Sequence, residues 1–151
     1  MSVGGKRFDT TAAVADKPYD LCERTFLFAS DVVALCRVMA KDSGVARQIS
    51  WQLLDAGTSV GANTEEAKAA YSRRDFASKN SIVLREARES RYWLRLIAAH
   101  NLAPAAMLNP LLDEANQLVA IYTSIVKRAR LPLIPIALAV IVLTVLLISN
   151  F

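Results

Sequence analysis

The chain has 151 residues, of which 54% are hydrophobic and 21% are charged, a size and balance that suit one packed domain and exclude a disordered chain. Its 5 glycines and 5 prolines are too few for a collagen-like chain, and its 2 cysteines are too few for a disulfide scaffold. The formal net charge of +4 is compatible with nucleic acid or an anionic membrane as a partner.

The chain begins with a leader and a first helix. Residues 1–18 have no apolar core, and we predict a flexible leader outside the folded domain. The first helix is predicted from Asp20, which can cap it, to Lys41, because the apolar residues between them recur at helical spacing. Residues 42–44, Asp-Ser-Gly, then interrupt the pattern.

The second helix is predicted over residues 45–71, whose apolar side chains share one face. Gly57 and Gly61 lie inside this helix. A glycine costs about 1 kcal/mol relative to alanine in an exposed helix. We therefore expect a neighbouring helix to approach closely at these two positions, where it compensates for that cost.

Two more helices complete the predicted domain. The third is predicted over 72–99, since Ser72 and Asp75 resemble a capping box at its start. Residues 100–109 are predicted to be a loop, and the last residue of this loop is expected to cap a fourth helix that starts with Pro110. Four helices with short connections and no strand alternation predict an all-α domain, an antiparallel up-down four-helix bundle over 19–130.

Motifs for catalysis or for a cofactor are missing from this sequence. It has no glycine-rich phosphate loop, and His100 is its one histidine. Cys22 and Cys36 are 14 residues apart on the first helix, or about 21 Å, which is too far for a disulfide. We therefore expect no cofactor, no metal site and no enzymatic activity.

The C-terminal segment 131–151 contains no charged side chain. From Leu131 to Ile148 Thr144 is the one polar residue, and an α-helix of this length spans about 27 Å, near the ~30 Å hydrocarbon thickness of a bilayer. Three basic residues precede it, as on a cytoplasmic flank: Lys127, Arg128 and Arg130. We predict a transmembrane anchor that holds the bundle on the cytoplasmic side of the bacterial inner membrane. The alternatives are a buried helix, an oligomer plug, a β-strand and the product of an altered reading frame.

A polar thread accompanies the apolar faces of the second and third helices at helical spacing. Its residues are Gln52, Ser59, Asn63, Glu66, Lys79 and Glu86. One interpretation is a solvated edge of the apolar face. The other is a hydrogen-bond network, in the core or between subunits, which costs stability but fixes how helices or subunits pair.

An arginine stripe lies within about 120° of one face of the third helix. Its residues are Arg74, Arg85, Arg88, Arg91 and Arg95. Such a stripe fits nucleic-acid phosphates or anionic lipid head groups. The alternatives are solvated charge and ion pairs between subunits, because Glu86 and Glu89 on the same helix neutralise part of the field.

Several stretches resemble a known protein family. The most specific are Gln52-Leu53-Leu54, Ser59-Val60-Gly61-Ala62-Asn63 with Glu66, Asp75-Phe76, and Glu86-Ala87-Arg88-Glu89 through Tyr92-Trp93-Leu94. Over residues 19–126 the sequence resembles the bacterial four-helix bundle proteins encoded in intervening sequences of 23S rRNA genes. The accessory proteins of diversity-generating retroelements are similar, and they bind nucleic acid and a reverse transcriptase through a basic pentameric surface.

The resemblance implies an up-down four-helix bundle that assembles as a ring-like homopentamer and has no established enzymatic activity. The family ends soon after the fourth helix, so the uncharged segment is an addition to it. The expected function is a non-enzymatic oligomeric scaffold or binding module anchored to the lipid bilayer. The alternatives are a nucleic-acid-binding accessory protein that uses the arginine stripe, and a membrane assembly in which five C-terminal segments form a bundle or pore.

Overall fold

The computed structural model describes residues 20–42, 44–131 and 148–149. In this part of the chain there are four α-helices and no strand, and their bounds are α1 (Leu21–Met39), α2 (Val45–Lys68), α3 (Arg73–Ala99) and α4 (Ala105–Arg130). Each helix packs on the next one in the chain, and α1 also meets α4 over a smaller area. The predicted all-α class is confirmed, and the packing is that of a four-helix bundle.

Two of the predicted helix caps are present. The Asp20 carboxylate accepts a hydrogen bond from the backbone N–H of Cys22 at 2.9 Å and so caps α1. At the start of α3, the Ser72 hydroxyl accepts from the N–H of Asp75 at 3.1 Å. The Asp75 carboxylate in turn accepts from the N–H of Tyr71 at 3.3 Å, one residue before the position that a capping box uses.

The prediction of a loop over 100–109 is wrong at its second half, because α4 begins at Ala105. Pro110 therefore lies inside the helix, where it removes the hydrogen bond to the carbonyl of Ala106. The side chains of both residues are exposed, on the side of the helix where water can reach that carbonyl. The additional turn also buries Leu108 in the core, which compensates for the lost hydrogen bond.

The core is a continuous apolar cluster supplied by all four helices. Its largest fully buried side chains include Phe28, Val32, Leu35, Met39, Leu53, Val60, Val83, Leu94, Ile97, Leu118 and Tyr122.

The Arg24 guanidinium on α1 forms a two-bond pair with the Glu114 carboxylate on α4, and Arg24 Nη2 also donates to Gln117 at 2.7 Å. This polar tie joins α1 to α4, whose contact is the least extensive of the four.

Close approach of α1 to α2 explains the two glycines of α2. A Cβ added at Gly57 would lie 2.7 Å from Cγ1 of Val32, well inside van der Waals contact. A Cβ added at Gly61 would lie 3.4 Å from the carbonyl oxygen of Thr25, at ordinary contact distance. The predicted approach of a neighbouring helix is therefore tight at Gly57 and looser one turn later.

The predicted leader and most of the predicted transmembrane anchor lie outside the described residues. These are residues 1–19 at the N-terminal end, and residues 132–147, 150 and 151 at the C-terminal end. Within the part of the chain that is described, none of the helices combines the length and apolarity that a bilayer span requires. The anchor consequently stays a prediction from sequence.

Candidate functional site

An apolar groove runs between α1 and α2 on the outer surface of the bundle. It has a volume of about 150 Å³ and is lined by Val33, Cys36, Arg37, Ala40, Ser50, Trp51 and Leu54. Trp51 is 60% exposed, and Phe26, two helical turns before Val33 on the same face of α1, is 62% exposed. Contiguous exposed apolar side chains mark surfaces that bind another protein or a membrane. This surface is called the α1–α2 groove below.

The two cysteines of α1, of which Cys36 lines this groove, are free and unsuited to nucleophilic chemistry. Cys36 is buried, and its Sγ donates to the carbonyl oxygen of Ser50 at 3.2 Å. Burial raises the pKa of the Cys36 thiol to about 11. Burial, followed by the nearby Glu65 carboxylate, also raises the pKa of Cys22. Both thiols therefore stay protonated at neutral pH, whereas a reactive cysteine needs a lowered pKa.

No group of three histidine, cysteine or acidic side chains that could hold a metal ion occurs among residues 20–42, 44–131 and 148–149. The absence concerns this part of the chain alone.

The polar thread lies along the edge between α2 and α3. Gln52 and Glu66 are exposed, and the other four residues are half-buried: Ser59, Asn63, Lys79 and Glu86. None of the six is enclosed in the core of the protomer, so the two alternatives that stay open are a solvated edge and a network at an interface between subunits. That interface stays a prediction.

Lys79 provides the cross-helix contact of the polar thread. Its Nζ donates to the backbone carbonyl of Glu66 at 3.3 Å, which neutralises part of the negative end of the α2 dipole. The same Nζ lies 3.6 Å from Oδ2 of Asp75 in the first turn of α3. Asn63, by contrast, donates within α2, to the carbonyl of Ser59 at 2.8 Å. Lys79 thus fastens the end of α2 to the start of α3.

The buried polar contact between helices is one that sequence analysis missed. Thr64 donates its hydroxyl proton to the carbonyl of Val60 at 2.7 Å, so the Tyr122 hydroxyl must donate to Thr64 Oγ1 at 2.8 Å. This bond joins α2 to α4, and burial raises the pKa of Tyr122. A threonine can bond to the carbonyl four residues earlier in its own helix. Its presence in the sequence therefore does not show whether it is buried.

The arginine stripe is largely exposed on α3. Arg74, Arg85, Arg88 and Arg95 are exposed, and Arg91 is half-buried. Arg85 is engaged on its own helix, since its Nη2 lies 2.8 Å from Oε1 of Glu86. Among the described residues the other four form no ion pair. Glu86 therefore neutralises the charge of one of the five arginines of the stripe.

The end of α4 is held by an arginine that sequence analysis did not select. Arg73 Nε donates to the carbonyl of Ala129 at 3.1 Å, and its Nη2 donates to the carbonyls of Arg128 at 2.9 Å and Leu131 at 2.8 Å. The carbonyls at a helix C-terminus lack N–H partners four residues on, and that of Arg128 otherwise accepts only the 3.3 Å bond from the N–H of Leu131 among the described residues. Arg73 therefore caps the C-terminus of α4 from the first turn of α3. The predicted antiparallel topology brings these two helix ends together, but it does not indicate which arginine of α3 reaches the carbonyls of α4.

The predicted membrane-flanking residues lie in the turn of α4 that Arg73 caps. Lys127, Arg128 and Arg130 are all exposed in the last turn of α4. Arg130 is also tied to α3, since its Nη2 donates to the Ser81 hydroxyl at 2.9 Å. Four basic side chains from two helices therefore gather where the chain leaves the bundle.

Comparison with known proteins now decides the family. A family model described as 23S rRNA-intervening sequence protein matches residues 17–124, which is most of the chain. The chain belongs to the 23S rRNA-intervening sequence protein family. The resemblance predicted from the sequence is therefore confirmed. The family match ends before the uncharged segment starts at Leu131.

A solved structure supports the family assignment. It is a protein of unknown function from the S23 ribosomal protein family of Bacteroides thetaiotaomicron VPI-5482, and it is 31% identical with a TM-score of 0.65. The match covers 72% of this chain and 99% of that chain. The comparison with curated protein sequences finds no match. The intervening-sequence family thus supplies the fold of this chain and leaves its function to be argued from its surface.

Proposed function

We propose that this chain is a non-enzymatic scaffold, a homopentamer of four-helix bundles held at the cytoplasmic face of the bacterial inner membrane by its C-terminal segment. The observation that carries the self-association is the exposed α1–α2 groove. Burial of Trp51 and Phe26 against a second copy is favourable by about 25 cal/mol per Å² of apolar surface. Tryptophan is also among the residues that dominate binding energy at interfaces.

Two features support the membrane part of the proposal. The uncharged run 131–148 is long enough to span a bilayer, and it follows directly from the end of α4. The basic residues before it are exposed, as side chains that face a cytoplasmic leaflet must be. A pentamer with all five C-terminal segments on one side would form a rigid array of binding surfaces on the membrane.

We predict that Trp51→Glu converts the pentamer of the full chain in dodecyl maltoside into monomers at micromolar concentration. A glutamate in the interface would have to bury an unpaired charge, and the contact of the indole would be lost. Light scattering in detergent measures the mass, and circular dichroism should show unchanged helicity. As a matched control, Tyr71→Glu replaces an aromatic residue that is 90% exposed in the turn before α3, outside the groove, and should leave the pentamer intact. A pentamer that survives Trp51→Glu would contradict the assignment of the interface.

A second function is favoured by the exposed, unpaired arginines of the stripe. We predict that, if the full chain in detergent binds a single-stranded RNA oligonucleotide, Arg88→Ala/Arg95→Ala flattens the dependence of log K on log salt by about one unit per lost phosphate contact. The matched control is Lys41→Ala/Arg47→Ala. It removes two exposed cations that do not belong to the arginine stripe, one just after the C-terminal end of α1 and one near the start of α2. Absence of RNA binding at physiological salt would reject this second function.

A further inference from the structure

Three arginines line one cleft at the end of the bundle where the chain leaves it. The cleft has a volume of about 410 Å³ and is lined by Arg73, Arg74, Ala77, Ala129, Arg130 and Leu131. Among the described residues, no acidic one belongs to the lining. This basic cleft therefore combines three guanidinium groups with a small apolar wall, and the charged side chains of its described lining are all positive.

Two of the three guanidinium groups are held in place by the fold. Arg73 uses Nε and Nη2 on carbonyls of α4, which leaves both N–H groups of its Nη1 without an acceptor in the described part of the chain. Arg130 is fixed through its bond to Ser81. Arg74 is exposed and makes no hydrogen bond or ion pair with any described residue. The cleft thus presents preorganised donors, and preorganisation lowers the entropy cost of binding an anion.

The surroundings of the cleft resemble a membrane–water interface. Lys127 and Arg128 are exposed in the last turn of α4, and Tyr71, in the turn before α3, is 90% exposed. Tyrosine is enriched at the headgroup level of membranes. At the opposite end of the α3–α4 pair, residues 96–112 contain no lysine, arginine, aspartate or glutamate. Positive charge is therefore concentrated at the end where the uncharged segment begins.

We propose that the basic cleft binds the phosphate group of an anionic phospholipid. This inference rests on the proposed membrane attachment, which would bring the cleft to the headgroup layer. Guanidinium groups match the geometry of phosphate oxygens, and the wall formed by Ala77, Ala129 and Leu131 suits the glycerol backbone. The lipid would fix the angle at which each bundle stands on the bilayer. Arg73 would have two roles. It caps α4, and it would also donate hydrogen bonds to the phosphate oxygens of the lipid.

The test is native mass spectrometry of the full chain in dodecyl maltoside with added dioleoyl phosphatidylglycerol or dioleoyl phosphatidylcholine. Phosphatidylglycerol should be retained at least about fivefold more strongly than phosphatidylcholine, the effect of one basic contact with an anionic lipid. Arg74→Gln should lower phosphatidylglycerol retention by about fivefold. This substitution breaks no hydrogen bond or ion pair with a described residue, and Arg74 is exposed, so unfolding would not explain the loss. Arg88→Gln, which removes an exposed arginine outside the cleft, should leave retention unchanged.

Four outcomes would overturn the inference: equal retention of the two lipids, an equal loss for Arg88→Gln, displacement of phosphatidylglycerol by inorganic phosphate at the same concentration as the lipid, or displacement by an RNA oligonucleotide. The third would assign the cleft to free phosphate and the fourth to nucleic acid. Carbonate extraction of the full chain from membranes tests the anchor separately. A chain that is extracted by carbonate and yet retains phosphatidylglycerol in detergent would reject the anchor and keep the cleft.

Discussion

The full chain is expected to stay in the membrane pellet after carbonate extraction, and a chain that ends at Leu131 is expected to appear in the supernatant. The difference follows from 132–151, because transfer of this uncharged run into hydrocarbon is favourable and nothing within 20–131 has the length and apolarity for a span. Circular dichroism of the shortened chain should show the helical content of α1 to α4, since these four helices supply the core that is described for residues 20–131.

A variant of full length separates insertion from mere chain length. Val140→Arg/Leu143→Arg places two charges near the middle of the run, and each costs about 2.5–3.5 kcal/mol at the centre of a membrane helix. This variant should move to the supernatant or the aggregated fraction, whereas Thr144→Leu, which removes the polar residue of the run, should remain in the pellet. A full chain that is released by carbonate would remove the membrane from the proposed function.

The same glycine-to-alanine substitution should have opposite effects at two positions one turn apart on α2. Gly57→Ala places a Cβ at 2.7 Å and 2.9 Å from the two methyl groups of Val32, which is fully buried and stiff at χ1. Overpacking of this kind costs about 1–3 kcal/mol and outweighs the gain of up to about 1 kcal/mol in helix propensity. We expect the free energy of unfolding to fall by about 1–2 kcal/mol.

Gly61→Ala serves as the matched control. Its added Cβ would meet the Thr25 carbonyl oxygen at 3.4 Å and Cβ of Ala29 at 3.6 Å, so the helix-propensity gain of up to about 1 kcal/mol should be realised. Urea unfolding of the chain that ends at Leu131 measures both variants at equal concentration. If Gly57→Ala proved as stable as Gly61→Ala, the tight α1–α2 contact would be wrong.

Much of the fold follows from local signals in the sequence. Apolar spacing and the absence of alternation gave the four helices, and the side chains of Asp20 and Ser72 marked two of their starts correctly. The glycines of α2 indicated a close neighbour, since an interior glycine needs a packing reason. The predicted start of α4 at Pro110 was wrong. Proline usually occupies the first helical position, whereas here the burial of Leu108 extends α4 by more than one turn before Pro110.

The basic cleft was harder to predict, because its geometry depends on which side chains meet where the start of α3 lies beside the end of α4. Arg74 and Arg130 were selected for their charge and position along the chain, and the structure places them together in the basic cleft. Arg73 was not selected, because its role depends on carbonyls that lie 55 or more positions away in the sequence. The bond between Thr64 and Tyr122 was likewise hidden, since periodicity identifies the buried face and says nothing of the partner on another helix.

The central claim is an oligomeric scaffold built through the α1–α2 groove. The mass of the isolated bundle tests this claim most directly. The chain that ends at Leu131 needs no membrane to associate if the groove is the interface, so its assembly can be measured without detergent. Multi-angle light scattering at micromolar concentration should give a pentamer that keeps its mass on dilution. A monomer under the same conditions, with the helicity of α1 to α4 intact, would contradict the scaffold.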